Sequence, residues 1–486
     1  MLPRTLALAW RTVVVGALLL VLGVALADQA GAAGLGFAKR QYVDHKLAGG
    51  EPFVLADNVH KTLLYTAHEG TTHIYRPGLV YPFDFGANYR NQVNLWRSDN
   101  EGTTWKRLNY LGTGFPTDPT KNTGFSDPDL TQDSGGRVYD TGIDLANDAL
   151  FSSGDGGRNW DRGTAECHNG DRPWLAGGRH NEVFLATNSE DAGHVVFHST
   201  DGGNSCSAKG IPDQGDVAGG RSYVGDGKLL YDRRHDQLVE PTLFQNGDGD
   251  IIGLGTSTWQ RGGPAFKPGA MIPTSLFSHW PAIAIDRGGT LYMVWDTDPR
   301  LPNRQGCGDT VTGNGATGSP LPNAIKLAYS QNYGKTWSKP ITVGRASNDR
   351  VLWPWVAAGD AGRVAVTWYR TNILADPDCQ PVTVTIDSAH IFNATGGRTV
   401  QQAQASRGPI HVDSTVCQGG TTCVATGQDR RLGDFFTNAL DPRGCEVIAS
   451  GDTTQPDPIT GGPRPTALPI LIRQNSGPSL YGNRSC

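Results

Sequence analysis

Apolar and polar residues alternate along this chain in short runs, and the runs come in pairs joined by turns rich in Gly, Asp and Asn. An alternation of period two buries one side of an extended segment and leaves the other in water, so it predicts strands rather than helices. The runs that open beside a proline are Glu51-Pro52 to Asp57, Asp127-Pro128 to Asp133, Arg172-Pro173 to Gly178, Glu240-Pro241 to Asn246, Trp280-Pro281 to Asp286 and Trp353-Pro354 to Gly359. Leu432-Gly433-Asp434 to Asp441 opens the same way without proline.

A second repeat, Ser-x-Asp/Asn-x-Gly-x-Thr/Asn/Ser-Trp, stands at 98–105, 153–160 and 330–337, and a fourth copy at 199–206 ends in Cys206. Each copy predicts a hairpin turn: the Asp or Asn carbonyl oxygen takes turn amides, Gly takes positive φ, and the Trp packs back on the sheet. Seven copies of the first repeat between residues 28 and 486 average about 66 residues per unit, enough for four strands with loops. The last unit lacks a fourth strand after Leu468 to Ile472, and the apolar stretch from Phe37 to Leu47 is expected to complete it. The chain is therefore predicted as all-β, a single β-propeller of four-stranded antiparallel blades, seven-bladed with six blades as the alternative.

Composition agrees and narrows the function. Gly accounts for 64 of 486 residues and Met for only 3, a profile that suits strands and tight turns. A net charge of −5 offers no electrostatic footprint for a polyanion, so nucleic acid is not an expected partner. Residues 1–27 carry Arg4 and Arg11, an apolar run from Val13 to Ala27 and the small-residue end Ala25-Leu26-Ala27, the pattern of a secretory signal peptide. Residues 28–486 are then a secreted, extracellular protein with no membrane association after cleavage, expected to be a monomer.

Eight cysteines in an exported chain predict disulfides. Cys417 and Cys423 enclose only Gln-Gly-Gly-Thr-Thr and predict a local loop; Cys206, where the other boxes carry Trp, is assigned to nearby Cys167. Cys307 with Cys379 and Cys445 with Cys486 follow by elimination. There is no CxxC pair, HExxH motif, phosphate loop or Gly-x-Ser-x-Gly elbow, so no cofactor, metal site or serine-hydrolase chemistry is expected. Asp248-Gly249-Asp250 reads as a turn, since the late bidentate Glu of a calcium loop is missing.

In a propeller the innermost strands converge, so the residues that open them share one mouth. These are Glu51, Asp127, Asp171 with Arg172, Glu240, His279 with Trp280, Trp353, and Arg431 with Asp434; Asp296, Asp298, Tyr369, Arg370 and Asp452 stand at the ends of second strands. Carboxylates, arginines and tryptophans together suit a polar ligand with an apolar sugar face, and paired carboxylates serve glycosidic cleavage as proton donor and charge stabiliser. Long insertions toward the same mouth carry His73, Tyr75, Arg76, Tyr81, Phe83 and Asp84 in the first unit and Arg300, Arg304 and Cys307 in the fifth.

The Ser-x-Asp-x-Gly-x-Thr-Trp boxes resemble the Asp-box (BNR) repeats of the sialidase, or neuraminidase, superfamily of propellers, over most of the chain from residue 28. By position, the resemblance implies Arg172, Arg370 and Arg431 as a carboxylate clamp, Tyr369 with Glu240 as a nucleophile pair and Asp127 as acid/base, with Asp171, His279, Trp280, Trp353 and Asp434 around the substrate. The family's Phe-Arg-Ile-Pro signature is replaced near the first unit by Gly50-Glu51-Pro52-Phe53 and echoed in Asp171-Arg172-Pro173-Trp174. The expected function is a sialidase-like glycoside hydrolase that removes a terminal acidic sugar from a glycan or polysaccharide. A non-catalytic carbohydrate- or protein-binding propeller is the alternative, and a polysaccharide lyase with His279 or Tyr369 as base is a third reading.

Overall fold

The alternating runs are strands, and each pair is a hairpin. The computed structural model of the chain describes residues 34–70, 72–75, 93–108, 124–144, 147–164, 170–189, 192–275, 280–297, 323–345, 348–374, 376–420, 423 and 426–486, and every named element in it is a strand. The leader at 1–27, Arg76, Tyr81, Phe83, Asp84, Cys167, His279, Asp298, Arg300, Arg304 and Cys307 lie outside the described residues.

Among the described residues the strands form seven antiparallel sheets. The first holds Phe53–Asp57, Thr62–Ala67, Asn94–Ser98 and Lys106–Leu108 in order, and the second Ser126–Gln132, Val138–Asp144, Asn147–Ser153 and Asp161–Thr164. The third holds Gly170–Gly177, Val183–Ser189, Gly193–Ser199 and Ile211–Pro212; the fifth Ala282–Ile285, Leu291–Thr297, Ala324–Ser330 and Ile341–Arg345. The sixth is built on Val351–Ala358, Val364–Thr371, Val382–Phe392 and Thr399–Gln404, and the seventh on Thr437–Leu440, Glu446–Asp452 and Leu468–Ser476. This repetition of antiparallel four-stranded sheets is consistent with a β-propeller.

The fourth sheet corrects the sequence reading. Its strand in contact with the first strands of the third and fifth sheets is Leu230–Asp232, while Gln237–Gln245, which contains Glu240 and Pro241, lies one position further out. Proline is rare in a central strand because it brings no N–H to the ladder. Here it falls where the partner changes: Leu230–Asp232 pairs with residues 237–239 and Arg221–Gly225 with residues 242–245, and between them Pro241 contributes only its carbonyl, which accepts the Asp226 amide at 2.9 Å.

The first strands of the seven sheets touch in cyclic order, and Thr437–Leu440 packs back on Phe53–Asp57. The seventh sheet is completed by the N-terminal segment, with Gly36 opposite Ser476, Phe37 opposite Gln474, Gln41 opposite Leu471 and Tyr42 opposite Ile470. That pairing covers an edge that would otherwise expose unpaired amides and carbonyls. The space the first strands enclose is filled, not open: the Trp174 ring centroid lies 5.4 Å from Trp280, 5.3 Å from Phe435 and 6.1 Å from Trp355, which is itself 6.1 Å from Phe53. Burying such side chains contributes about 1.5–3 kcal/mol each.

Residues 98–105, 153–160, 199–206 and 330–337 sit between the third and fourth strands of their sheets, where Asn100, Asp155, Asp201 and Asn332 Oδ1 accept the amides of Thr104, Asn159, Ser205 and Thr336 at 2.9 to 3.0 Å. The hydroxyls of Ser98, Ser153, Ser199 and Ser330 accept the amides of Gly102, Gly157, Gly203 and Gly334 at 2.8 to 3.0 Å. Cys417–Cys423 and Cys445–Cys486 are disulfides. Cys206 and Cys379 are also disulfide-bonded, and the partners assigned to them from the sequence lie outside the described residues.

Candidate functional site

The proline repeats shape the site through the backbone. Glu51, Asp127, Arg172 and Trp353, each just before a proline, have φ of 49, 49, 60 and 53°. Proline disfavours the right-handed helical region for its predecessor, and the register shifts across Ser126/Asp129, Asp171/Trp174 and Leu352/Trp355. Such bulges turn side chains out of the ladder, toward one end of the assembly. Gly433, with φ of 76°, holds the corresponding place in the last repeat. A Cβ there would stand 2.1 Å from Glu51 Cγ, so only glycine lets these two strand openings meet.

They meet beneath a cleft of about 400 Å³ whose charged lining is Asp127, Asp171, Arg172, Arg430 and Asp434, with Phe125, Ile143, Thr72, Ser126 and the Gly419-Gly420 segment completing the wall. Gly419 and Gly420 belong to the loop closed by the Cys417–Cys423 disulfide. Glu51 lies under the floor, fully buried. Its Oε1 accepts the Asp434 amide at 3.1 Å and faces Arg430 Nη2 at 3.5 Å, while Oε2 accepts the Ser126 hydroxyl at 3.3 Å and the Asp127 amide at 3.4 Å. His73 Nε2 lies 2.9 Å from the same Oε1, and its ring stacks on His68 at 3.9 Å.

The electrostatics separate the carboxyls into two kinds. Arg430 meets Asp434 with Nη1 to Oδ1 at 2.6 Å and Nη2 to Oδ2 at 2.8 Å, so Asp434 is neutralised in place. Burial, then the charge of Asp434, pushes Glu51 up against the pull of Arg430. Burial, then Glu51, Asp171 and Asp434, pushes Asp127 well above the ordinary carboxylate range. A carboxyl held this way keeps its proton where an ordinary aspartate has lost it, which is the requirement for a general acid. Burial also lowers both His68 and His73 well below the ordinary imidazole value, so they sit as neutral rings beside Glu51.

Arg172 is placed differently from Arg430. Its ion pairs are long, Nε to Asp171 at 3.9 Å and Nη1 to Asp226 at 3.7 Å, and its side chain is 30% exposed. The guanidinium carbon lies 5.0 Å from the centroid of Trp280. An arginine stacked on an indole and loosely paired presents donors to a ligand in a fixed plane.

Of the residues read from the sequence, the structure thus gathers Asp127, Asp171, Arg172 and Asp434 around one cleft, with Trp280 behind Arg172. Of the remaining assignments, His279 lies outside the described residues and the others are placed elsewhere. Tyr369 is fully buried, its hydroxyl 2.8 Å from Ser450 Oγ and its ring stacked on Phe436 at 4.0 Å; it does not pair with Glu240, whose Oε1 faces His194 Nε2 at 2.8 Å. Both side chains follow from strand alternation, which points them between sheets instead of into the cleft. Arg370 is held by Asp349 and Asp387, and Arg431 is clamped by Asp429 at 2.9 and 2.5 Å, so neither joins Arg172. Trp353 is buried, with Nε1 donating to Gln418 Oε1 at 3.1 Å.

Sequence reasoning missed Arg430 and placed Glu51 at the mouth without a specific role. Arg430 and Arg431 are neighbours whose side chains diverge: Arg430 lines the cleft and Arg431 turns to Asp429. The signal was present in the four-residue spacing from Arg430 to Asp434. Glu51 as the common partner of two other strand openings could not be seen without the contacts that bring residues 51, 126, 127 and 434 together.

No family model matches the chain, and no curated protein does. Solved structures do resemble it. A xyloglucanase from Xanthomonas campestris is 14% identical with a TM-score of 0.48, over 88% of this chain and 55% of that one. An ulvan lyase bound to a GlcA-Rha3S saccharide is 9% identical with a TM-score of 0.45, over 92% and 98%. The Trypanosoma rangeli sialidase in complex with the inhibitor DANA is 10% identical with a TM-score of 0.38, over 91% and 60%. At these identities and scores the likeness says nothing about the chemistry of the cleft.

Proposed function

We propose that the chain is an exported seven-bladed β-propeller that cleaves an acidic glycan in the cleft between Asp127 and Arg172, after removal of residues 1–27 as a signal peptide. The cyclic contact of the seven first strands and the bonds within the four boxes support the blade count and the Asp-box reading. Disulfides support an oxidising compartment. The observation that carries the catalytic reading is Asp127 itself, a carboxyl kept protonated by burial and by three acidic neighbours while it faces a cleft with an available arginine.

In this reading Asp127 gives its proton to the glycosidic oxygen. The solvent-facing carboxylate of Asp171 supports the positive charge that develops at the anomeric carbon or draws a proton from the attacking water. Arg172 takes the carboxylate or sulfate of the sugar, and the indole of Trp280 fixes its plane. Arg430 serves as the counter-charge that keeps Asp434 and Glu51 from repelling the substrate. Tyr369 and Glu240 take no part, so the reaction proceeds without the tyrosine nucleophile of the sialidase resemblance.

The test is a panel of fluorogenic sialosides, uronides and neutral glycosides. Asp127→Asn should lower kcat by orders of magnitude with an unchanged fold, and Arg172→Ala should raise KM for acidic substrates while leaving neutral ones alone. A wild type that binds glycans but cleaves none of the panel, with Asp127→Asn binding as well, would reduce the protein to a carbohydrate-binding propeller.

A further inference from the structure

Away from the cleft, three side chains from separate segments converge: His194 on the third strand of the third sheet, Asp213 on the connection after Ile211–Pro212, and Glu240 on Gln237–Gln245 of the fourth sheet. All three are buried, at 3%, 0% and 0% exposure. One ligand atom from each lies within 4.8 Å of the other two. We infer that His194, Asp213 and Glu240 form a structural site for a divalent transition-metal ion.

The polar atoms that remain unsatisfied point to a cation. Glu240 Oε2 and Asp213 Oδ1 are buried and receive no hydrogen bond from any other donor group; the two carboxyls instead lie against each other. Among the described residues no Lys or Arg pairs with either carboxyl; the single basic contact is His194 Nε2 to Glu240 Oε1 at 2.8 Å. Two carboxyls buried against each other repel unless a proton or a cation lies between them, and the imidazole nitrogen beside them offers a third ligand to a cation.

The surroundings are arranged as ligands' supports are. His194 Nδ1 lies 2.8 Å from Asn188 Oδ1, which accepts its proton and leaves the lone pair of Nε2 turned to the carboxyls. Asp213 Oδ2 accepts the Ser257 hydroxyl at 2.5 Å, which leaves Oδ1 for the centre. A Cβ on Gly225 would stand 2.5 Å from Asp213 Oδ2 and 2.8 Å from His194 Cδ2, so the backbone is kept bare at this point. One imidazole nitrogen with two carboxylate oxygens suits zinc or manganese better than the all-oxygen preference of calcium or magnesium. The ion would take the place of the proton that lets Asp213 and Glu240 lie against each other.

Its effect would reach the cleft mechanically. Asp213 anchors the hairpin of Gln214–Val217 and Arg221–Gly225, and the next residue, Asp226, is the ion-pair partner of Arg172 at 3.7 Å.

The protein is refolded from denaturant with EDTA, with zinc or with manganese, its bound metal is measured by elemental mass spectrometry, and its melting is followed. The expected result is about one tightly held ion per chain and a higher Tm with metal than with EDTA. Asn188→Ala, which leaves the ligands in place, should weaken metal affinity about 10–100-fold. Glu240→Gln and Asp213→Asn should lose the ion, melt below the wild type in metal and match or exceed it in EDTA. A wild type that retains no zinc or manganese and melts identically in all three buffers overturns the site and assigns the cluster to a shared proton. Should the ligand variants fail to fold, the wild-type comparison decides alone.

Discussion

Arg430 meets Asp434 through two parallel contacts of 2.6 and 2.8 Å, four residues apart in sequence and with side-chain exposures of only 5% and 11%. The pair divides the labour of the cleft. It supplies the counter-charge to Asp434, while burial and acidic neighbours push both Glu51 and Asp127 up, and of these two Asp127 lines the cleft.

Removing the cation should therefore unbalance the floor. Arg430→Ala removes the two-point partner of Asp434 and the cation nearest Glu51, and a loss of about 3–5 kcal/mol in unfolding free energy is expected. Arg430→Lys keeps the charge but not the two-point geometry and should cost less. Urea denaturation of the three proteins measures this; equal midpoints would show that the pair is not what holds the floor.

Asp127 should make stability fall as pH rises. Its folded value lies above the ordinary unfolded value of about 4, so between the two the folded chain keeps a proton that the unfolded chain has released, and folding weakens with rising pH. Asp127→Asn removes that dependence. Comparing urea midpoints at acid and at mildly alkaline pH, the variant should gain on the wild type at the higher pH; a constant difference would contradict the assignment.

Glu182 should do the reverse. Burial alone would raise it, but hydrogen bonds from His198 at 2.7 Å and Arg261 at 2.7 and 2.8 Å overcome that and bring it down to about 2. Its contribution is complete above the unfolded value and is lost as pH falls toward 2. Glu182→Gln should be less stable than the wild type at neutral pH and converge with it in acid, as followed by thermal melts across that range.

Deleting residues 34–47 should expose the edge of Leu468–Ser476, since Gly36, Phe37, Gln41 and Tyr42 pair there. An open, apolar edge recruits other chains. Size-exclusion chromatography should find the shortened protein associated or aggregated at concentrations where the full chain is not; an unchanged elution would mean the edge is protected some other way.

The strands, and the pairing of the segment around Phe37 and Tyr42 with the last strand, were legible in the chain because they depend on local periodicity and turn chemistry, which a sequence carries directly. Asp127, Asp171, Arg172 and Asp434 were legible as strand openings for the same reason. Glu240 was misplaced because a proline that usually marks an outer or opening position falls here where one partner strand gives way to another, a coincidence of pairing that no local pattern records. Choosing between Arg430 and Arg431, or finding Tyr369 stacked on Phe436 and Glu240 against His194, required knowing which sheets face each other. Periodicity says which side of a strand a residue occupies; only the closed ring decides what lies across from it, because those contacts join residues hundreds of positions apart.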